Sequence, residues 1–356
     1  MEKLKIVTIC PDDTYFTWQV HLWLESLKER GLSNKALVLI FVSRERKANF
    51  ERQKETKWQP IISLYPEAEI VFYHDEHGIQ NLLPIYIPVL RPYTAWRYWQ
   101  DHPEMNNKTI FYCDSDILFM DNFDLSPFLN DEICYLSDTK GYINANYFDS
   151  KIKDVQPHLI EAYKKIDVLD NIAKLIGVNR EVCVANNENS GGAQYLMKKV
   201  DAKFWQKVMR DSITIRTQLQ DYNKRYFVNE NKGFQSWAAD MWAVLWNLWV
   251  WKKETKIVKE LDFSWATDPI YKLDKCPIFH NAGLNSIYRT EKRIVNNEET
   301  TISWPNFYKG KYSVGSDPMK DPLIDEILKN EESKKYCTYY YTQKVKELKD
   351  KYKLEY

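Results

Sequence analysis

Apolar positions in the first third of the chain fall into short continuous runs separated by helical spacings. Leu4–Cys10, Ala36–Val42, Glu69–His74 and Thr109–Tyr112 are brief and rich in branched or aromatic residues. That is the pattern of strands buried on both faces. Between them, Phe16–Arg30 places Val20, Trp23, Leu24 and Leu27 on one helical face, with Gly31 just past its end. Arg44–Lys57 is charged and reads as a solvated helix. Tyr86–Trp99 is helical by spacing, with Pro88 and Pro92 confining the regular part to its later half. Strands alternating with helices predict an α/β chain with a doubly wound, mostly parallel sheet and flanking helices. In such sheets ligands bind beyond the carboxyl ends of the strands, so Cys10–Tyr15 and Cys113–Asp116 are expected to line one crevice.

The pattern then loosens. Asp131–Leu136 predicts a short strand. Residues 139–187 are polar, with one helical piece over Asp154–Ile176, and resemble an insertion. Asp201 is placed to cap a helix whose apolar face holds Phe204, Trp205, Val208 and Met209. Gln235–Trp251 predicts a helix that is apolar almost all round, and Cys276–His280 a last strand. From Trp304 to Tyr356 the chain is polar and lysine-rich, with short helices expected over Asp325–Lys334 and Tyr341–Tyr352. There is no internal repeat.

Composition narrows the function classes. Across 356 residues, 50 Lys and Arg balance 50 Asp and Glu, which gives no electrostatic reason for a nucleic acid or a membrane as main partner. With only 10 glycines there is neither a P-loop nor a dinucleotide fingerprint. The six cysteines are scattered without a zinc spacing, and Cys10, Cys113 and Cys134 sit in or beside apolar runs, as buried reduced thiols do. The start MEKLKIVTIC lacks the apolar region of a signal peptide and no apolar run reaches spanning length, so a soluble cytoplasmic protein is expected.

The densest chemistry lies in TIFYCDSDILFM, Thr109–Met120. Asp114 and Asp116 are separated only by Ser115 and follow a buried strand. Desolvation and mutual repulsion oppose ionising both, and a divalent cation relieves both problems. Oxygen ligands of this kind suit Mg²⁺ or Mn²⁺ on a substrate diphosphate. An exposed turn whose aspartates cap the next segment would leave the same pattern. Asn189-Ser190-Gly191-Gly192 holds the only Gly-Gly pair, where backbone N–H groups could approach a ligand, or an ordinary turn could lie. Asp240 is the only charge in Gln235–Trp251 and needs a role or a partner such as an arginine. His280, after an apolar strand, is a natural third ligand once a metal is postulated.

Taken in order, YFTWQ at Tyr15–Gln19, LRPYTAWRYW at Leu90–Trp99, CDSDILFM, SGGAQYLMKK at Ser190–Lys199, QSWAADMW and FHNAG resemble the GT-A (Rossmann-like) fold of nucleotide-sugar glycosyltransferases. The similarity is greatest to the hydroxyproline O-arabinosyltransferases and peptidyl-serine galactosyltransferases, and it covers most of Lys5–Gly283. It implies a GT-A domain over residues 1–303, with 139–187 as an insertion on the acceptor side and 304–356 as a partly helical tail packed on the domain. It implies Asp114, Asp116 and His280 as ligands of Mn²⁺ or Mg²⁺. Thr8 and Tyr15 would lie against the nucleotide, Arg91 near the diphosphate or base, and Ser115 on the donor. Ser190, Gly191, Gly192 and Gln194 would contact the donor sugar, and Asp240 would lie near the anomeric carbon or the acceptor as the catalytic group. The implied activity is retaining transfer of a sugar, such as arabinose or galactose, from a UDP-sugar to an acceptor hydroxyl. The acceptor hydroxyl stays open between a peptide, a glycan and a hydroxymethylated DNA base, the last suggested by a basic, tyrosine-containing stretch at Lys334–Lys353. A nucleotidyltransferase or a non-catalytic sugar-binding protein on the same fold are the other readings. The first would want a glycine-rich loop that Ile9–Tyr15 lacks.

Overall fold

The four early apolar runs lie side by side. In the computed structural model, which describes residues 4–45, 49–79, 86–229, 231–295, 298–313 and 315–353, β1 (Leu4–Pro11) pairs in parallel with β2 (Ala36–Val42) and with β4 (Thr109–Cys113). β2 in turn pairs in parallel with β3 (Glu69–His74). Beyond β4 come β7 (Tyr195–Lys198), β6 (Cys134–Leu136) and β8 (Thr255–Ile257), giving a seven-stranded sheet in the order β3-β2-β1-β4-β7-β6-β8. β7 is antiparallel to both β4 and β6. The other pairings are parallel, so the expected mostly parallel α/β sheet is met, with one reversed strand that the sequence pattern did not reveal.

Helices cover both faces, as continuous runs of buried strand residues require. On one face α1 (Thr14–Glu29) buries Val20, Trp23, Leu24 and Leu27 against Ile6, Val38 and Phe111. It starts where Asp13 accepts the Tyr15 amide at 2.9 Å. On the other face lie α2 (Leu90–Asp101), α3 (Val168–Ile176), α4 (Ala202–Tyr226) and α5 (Ala239–Val250). Asp201 caps α4 as expected, accepting the Phe204 amide at 2.7 Å. α2 begins at Leu90, just after Pro88, but Pro92 does not limit it: it sits in the first turn, where a missing N–H costs nothing.

Other expectations are corrected. Asp154–Ile176 is not one helix, because Pro157 breaks it into short turns before α3. Those pieces also bury Tyr163, Val168, Leu169 and Ile172 in the main core. The helical stretch expected as solvated reaches Leu64, and Trp58 within it is fully buried and donates to Asp12 at 2.7 Å. Part of that stretch, residues 46–48, lies outside the described residues.

The apolar run after Asp116 leaves the main sheet. It forms β5 (Ile117–Phe119), which pairs antiparallel with β10 (Ile278–His280), itself parallel to β9 (Phe263–Trp265). Asp114–Asp116 is therefore a hinge between two sheets. The C-terminal segment comes back to this region. A hairpin of β11 (Tyr288–Val295) and β12 (Glu298–Pro305) leads to Phe307, and α6 (Cys337–Tyr352) closes over α1, burying Trp18, Phe279, Phe307, Tyr312 and Tyr341 together. No helix among the described residues is long and apolar enough to cross a membrane.

His21, buried in α1 between the rings of Tyr65 and Tyr352, yields a pH prediction. Burial is the main cause that pushes its pKa down, from 6.5 to about 3. The unfolded chain binds a proton near the ordinary value and the folded chain refuses it. Stability is therefore complete above pH 6.5 and falls as the pH drops below it. Between pH 7 and 5 this one group removes about 2 kcal/mol. Urea titrations should show wild type losing about that much more than His21→Gln over the same interval. Equal acid sensitivity of the two proteins would refute the assignment.

Candidate active site

Register brings the candidate ligands together. β4 ends at Cys113 and the chain turns through Asp114, Ser115 and Asp116 before entering β5. β5 pairs Ile117 with His280 of β10, and the Asn281 amide donates to the Asp116 carbonyl at 2.9 Å. Two strands far apart in sequence thus clamp the acidic turn against the histidine. His280 Nε2 lies 3.4 Å from Asp116 Oδ1 and 3.8 Å from Asp114 Oδ2. The Trp265 ring stacks on the imidazole, 5.4 Å between centroids and 19° between planes, which fixes its orientation. One ligand atom from each of Asp114, Asp116 and His280 falls within 4.8 Å of the others. Two carboxylates and an imidazole are a donor set that fits Mn²⁺ or Mg²⁺.

Two cations reach the same carboxylates. Arg91, in the first turn of α2, pairs with Asp114 through Nη1 and with Asp240 through Nη2. Lys309, from the C-terminal segment, pairs with Asp116. Burial alone would raise the pKa of Asp116, but Lys309 and His280 override it and hold the carboxyl well below the usual range. Burial opposes the charge of Lys309 and of Arg91 as well. Asp116 and Asp240, respectively, more than compensate, so both cations are held charged.

These groups line a cleft of about 370 Å³ that opens beyond the ends of β1 and β4. Its walls include Tyr15, Arg91, Asp114, Ser115, Asp116, His280 and Lys309. The YFTWQ segment is tied to the acidic turn: Gln19 donates to the Tyr15 carbonyl at 2.7 Å, and Ser115 Oγ lies 3.5 Å from Gln19 Oε1. Burial pushes the Tyr15 hydroxyl up in pKa, with Lys309 offsetting part of the effect.

The remaining predicted residues stand off the cleft wall. Thr8 is fully buried within β1, opposite Cys113 of β4. Ser190 is buried and donates to the Asn186 carbonyl at 2.9 Å. Gly191 and Gly192 answer to packing. A Cβ on Gly191 would lie 2.3 Å from the Ser137 carbonyl oxygen, and one on Gly192 would lie 2.4 Å from the Tyr195 hydroxyl. The loop they make carries Ala193, at φ 66°, to the cleft instead. Gln194 is fully buried beside it. Asp240 is buried behind Arg91. The Tyr86 hydroxyl accepts from its backbone N–H at 2.9 Å and donates to the Trp237 carbonyl at 3.2 Å. The expectation that Asp240 pairs with a nearby arginine describes the structure. Lys309 went unrecognised because its neighbourhood reads only as polar tail; the NFYKGKY stretch, aromatic beside lysine, was the available signal.

No protein-family model matches this chain, and no curated protein does. Among solved structures, galactosyltransferase LgtC in complex with donor and acceptor sugar analogs is 12% identical, over 78% of this chain and 87% of its own, at a TM-score of 0.40. An active-site mutant of LgtC is 12% identical over 79% and 88%, at 0.39. A mycobacterial protein is 14% identical over 85% and 84%, at 0.26.

Arg91 joins two carboxylates, so its pairings are measurable as a coupling. Asp240→Asn leaves a guanidinium without its more deeply buried counter-charge and should cost about 3 kcal/mol in denaturant unfolding, the range for breaking a buried pair. Arg91→Met should cost a similar amount, and the double variant clearly less than the sum. Additive losses would mean that the Arg91–Asp240 pair does not form.

Proposed function

We propose that the protein is a metal-dependent, retaining glycosyltransferase that moves a sugar from a UDP-sugar to an acceptor hydroxyl. The observation that carries this reading is the convergence of Asp114, Asp116 and His280 with Arg91 and Lys309 in one cleft at the carboxyl ends of parallel strands. Acidic metal donors and fixed cations together suit a diphosphate and little else of that size. UDP and the retaining outcome rest on the resemblance of the ordered motifs to the GT-A enzymes.

Asp114, Asp116 and His280 would hold Mn²⁺ or Mg²⁺, which supplies positive charge for the leaving diphosphate. Arg91 and Lys309 face the same place and would bind the diphosphate as its charge grows when the bond to the sugar breaks. Tyr15 and Ser115, on the cleft wall, would position the donor; Asp240 would keep Arg91 aimed. The carboxylates among the described cleft-lining residues are Asp114 and Asp116, both engaged. A separate base is therefore not at hand, and the departing diphosphate is the natural acceptor of the hydroxyl proton. Same-face attack, the retaining route that the resemblance implies, would suit that arrangement.

A DNA acceptor loses its main support. Lys334, Lys335, Lys344, Lys346 and Lys351 each pair with a carboxylate, so the C-terminal basic stretch offers little free charge to a phosphate backbone.

The test is release of free UDP from UDP-galactose and UDP-arabinose with Mn²⁺. Asp116→Asn and Lys309→Met should each lower the rate by two to four orders of magnitude, roughly the range for a removed electrostatic group. Full activity in excess chelator would remove the metal from the reading, and release of GDP from a GDP-sugar in preference would remove the donor.

A further inference from the structure

The mouth of the cleft carries a feature that diphosphate chemistry does not use. Trp237 is 60% exposed, whereas eight other tryptophans are fully buried. It lies in the turn Ser236–Ala238 that leads into α5, and it lines the cleft. Its backbone is fixed, since its carbonyl accepts the Tyr86 hydroxyl at 3.2 Å and that same hydroxyl accepts from the Asp240 amide. The indole is thus presented to solvent from a rigid support. The same cleft is lined by Ile87, 55% exposed, and by Pro88 and Tyr142. An exposed apolar cluster at the rim of a polar site marks a binding surface.

We infer that Trp237, with Ile87 and Tyr142, is the platform for a saccharide acceptor, binding the apolar C–H face of a pyranose ring. This rests on the glycosyltransferase reading above. Aromatic rings suit a ligand that is apolar on one face and polar at its edge. A nucleic-acid acceptor would need cations along the rim to meet its phosphates. Among the described lining residues the lysine and arginine are Lys309 and Arg91, both deep in the site on Asp116 and Asp114. A peptide bound by strand addition would need an open sheet edge, and Trp237 stands in a helical turn instead. A pyranose needs neither.

The experiment uses the full chain saturated with UDP and Mg²⁺, with lactose and cellobiose as probes and saturation-transfer NMR as readout. Pyranose C–H protons should receive transfer in the wild type. Trp237→Ala should weaken disaccharide affinity at least tenfold, and Trp237→Phe should restore part of it. UDP with Mg²⁺ should still raise the melting temperature of both variants, which shows an intact fold and nucleotide site. Disaccharide binding that ignores Trp237→Ala, or is absent from the wild type, overturns the platform. So does a serine- and hydroxyproline-containing peptide or a short oligothymidylate that binds in the disaccharide's place and loses affinity in Trp237→Ala. If UDP with Mg²⁺ fails to stabilise even the wild type, the glycosyltransferase reading falls and takes the platform with it. UDP stabilisation without a Trp237 effect removes the platform alone.

Discussion

Everything in the site depends on matching the charge of carboxylates set into the core. Asp116 and Asp240 are buried and Asp114 is partly so, within a few residues of the sheet core. An unmatched charge in such a place is costly, because desolvation disfavours it. Three cationic or polar partners prevent this: Arg91 bridges Asp114 and Asp240, Lys309 pairs with Asp116, and His280 faces both members of the acidic turn. Each partner comes from a different part of the chain, so the charge pattern exists only when the whole fold does.

That requirement explains why the C-terminal segment closes back on the first helix. Lys309 can reach Asp116 only if the chain around it is anchored. The anchor is apolar. Trp18 of α1 meets Phe307 at 5.8 Å and Tyr312 at 6.1 Å between ring centroids, on either side of the lysine in sequence. Tyr341 of α6 packs on Phe307 at 5.2 Å, and Phe279, next to His280, packs on Tyr341 at 5.5 Å. One aromatic cluster therefore positions both the lysine and the histidine, and a segment that reads as polar tail is part of the site.

What was legible in the sequence follows from how local the cause is. The four parallel strands and the cap at Asp201 are set by neighbouring residues, and all are present. The acidic turn was legible because both carboxylates sit on one short segment. The reversal of β7, the departure of β5 into a second sheet, and the reach of Lys309 are decided by pairing over long separations, which apolar spacing does not encode. The glycine pair is ambiguous for a related reason. Its sequence signal, freedom from a Cβ, is the same whether a ligand or a neighbouring carbonyl approaches, and here Ser137 is the neighbour.

Charge balance also limits what the cleft can accept. Asp114 and Asp116 are already matched by Arg91 and Lys309. A divalent cation entering alone would crowd two resident cations, and a diphosphate entering alone would face two buried carboxylates; Coulomb repulsion opposes either by itself. On the proposed function both together would restore the balance: the carboxylates and His280 would hold the metal while Arg91 and Lys309 would meet the phosphates. Favourable binding of each would therefore depend on the other, which is reciprocal coupling between two ligands in one site. Asp240 keeps this exchange directional. It holds Arg91 through a second nitrogen, so the guanidinium that releases Asp114 stays at the cleft wall instead of swinging into solvent.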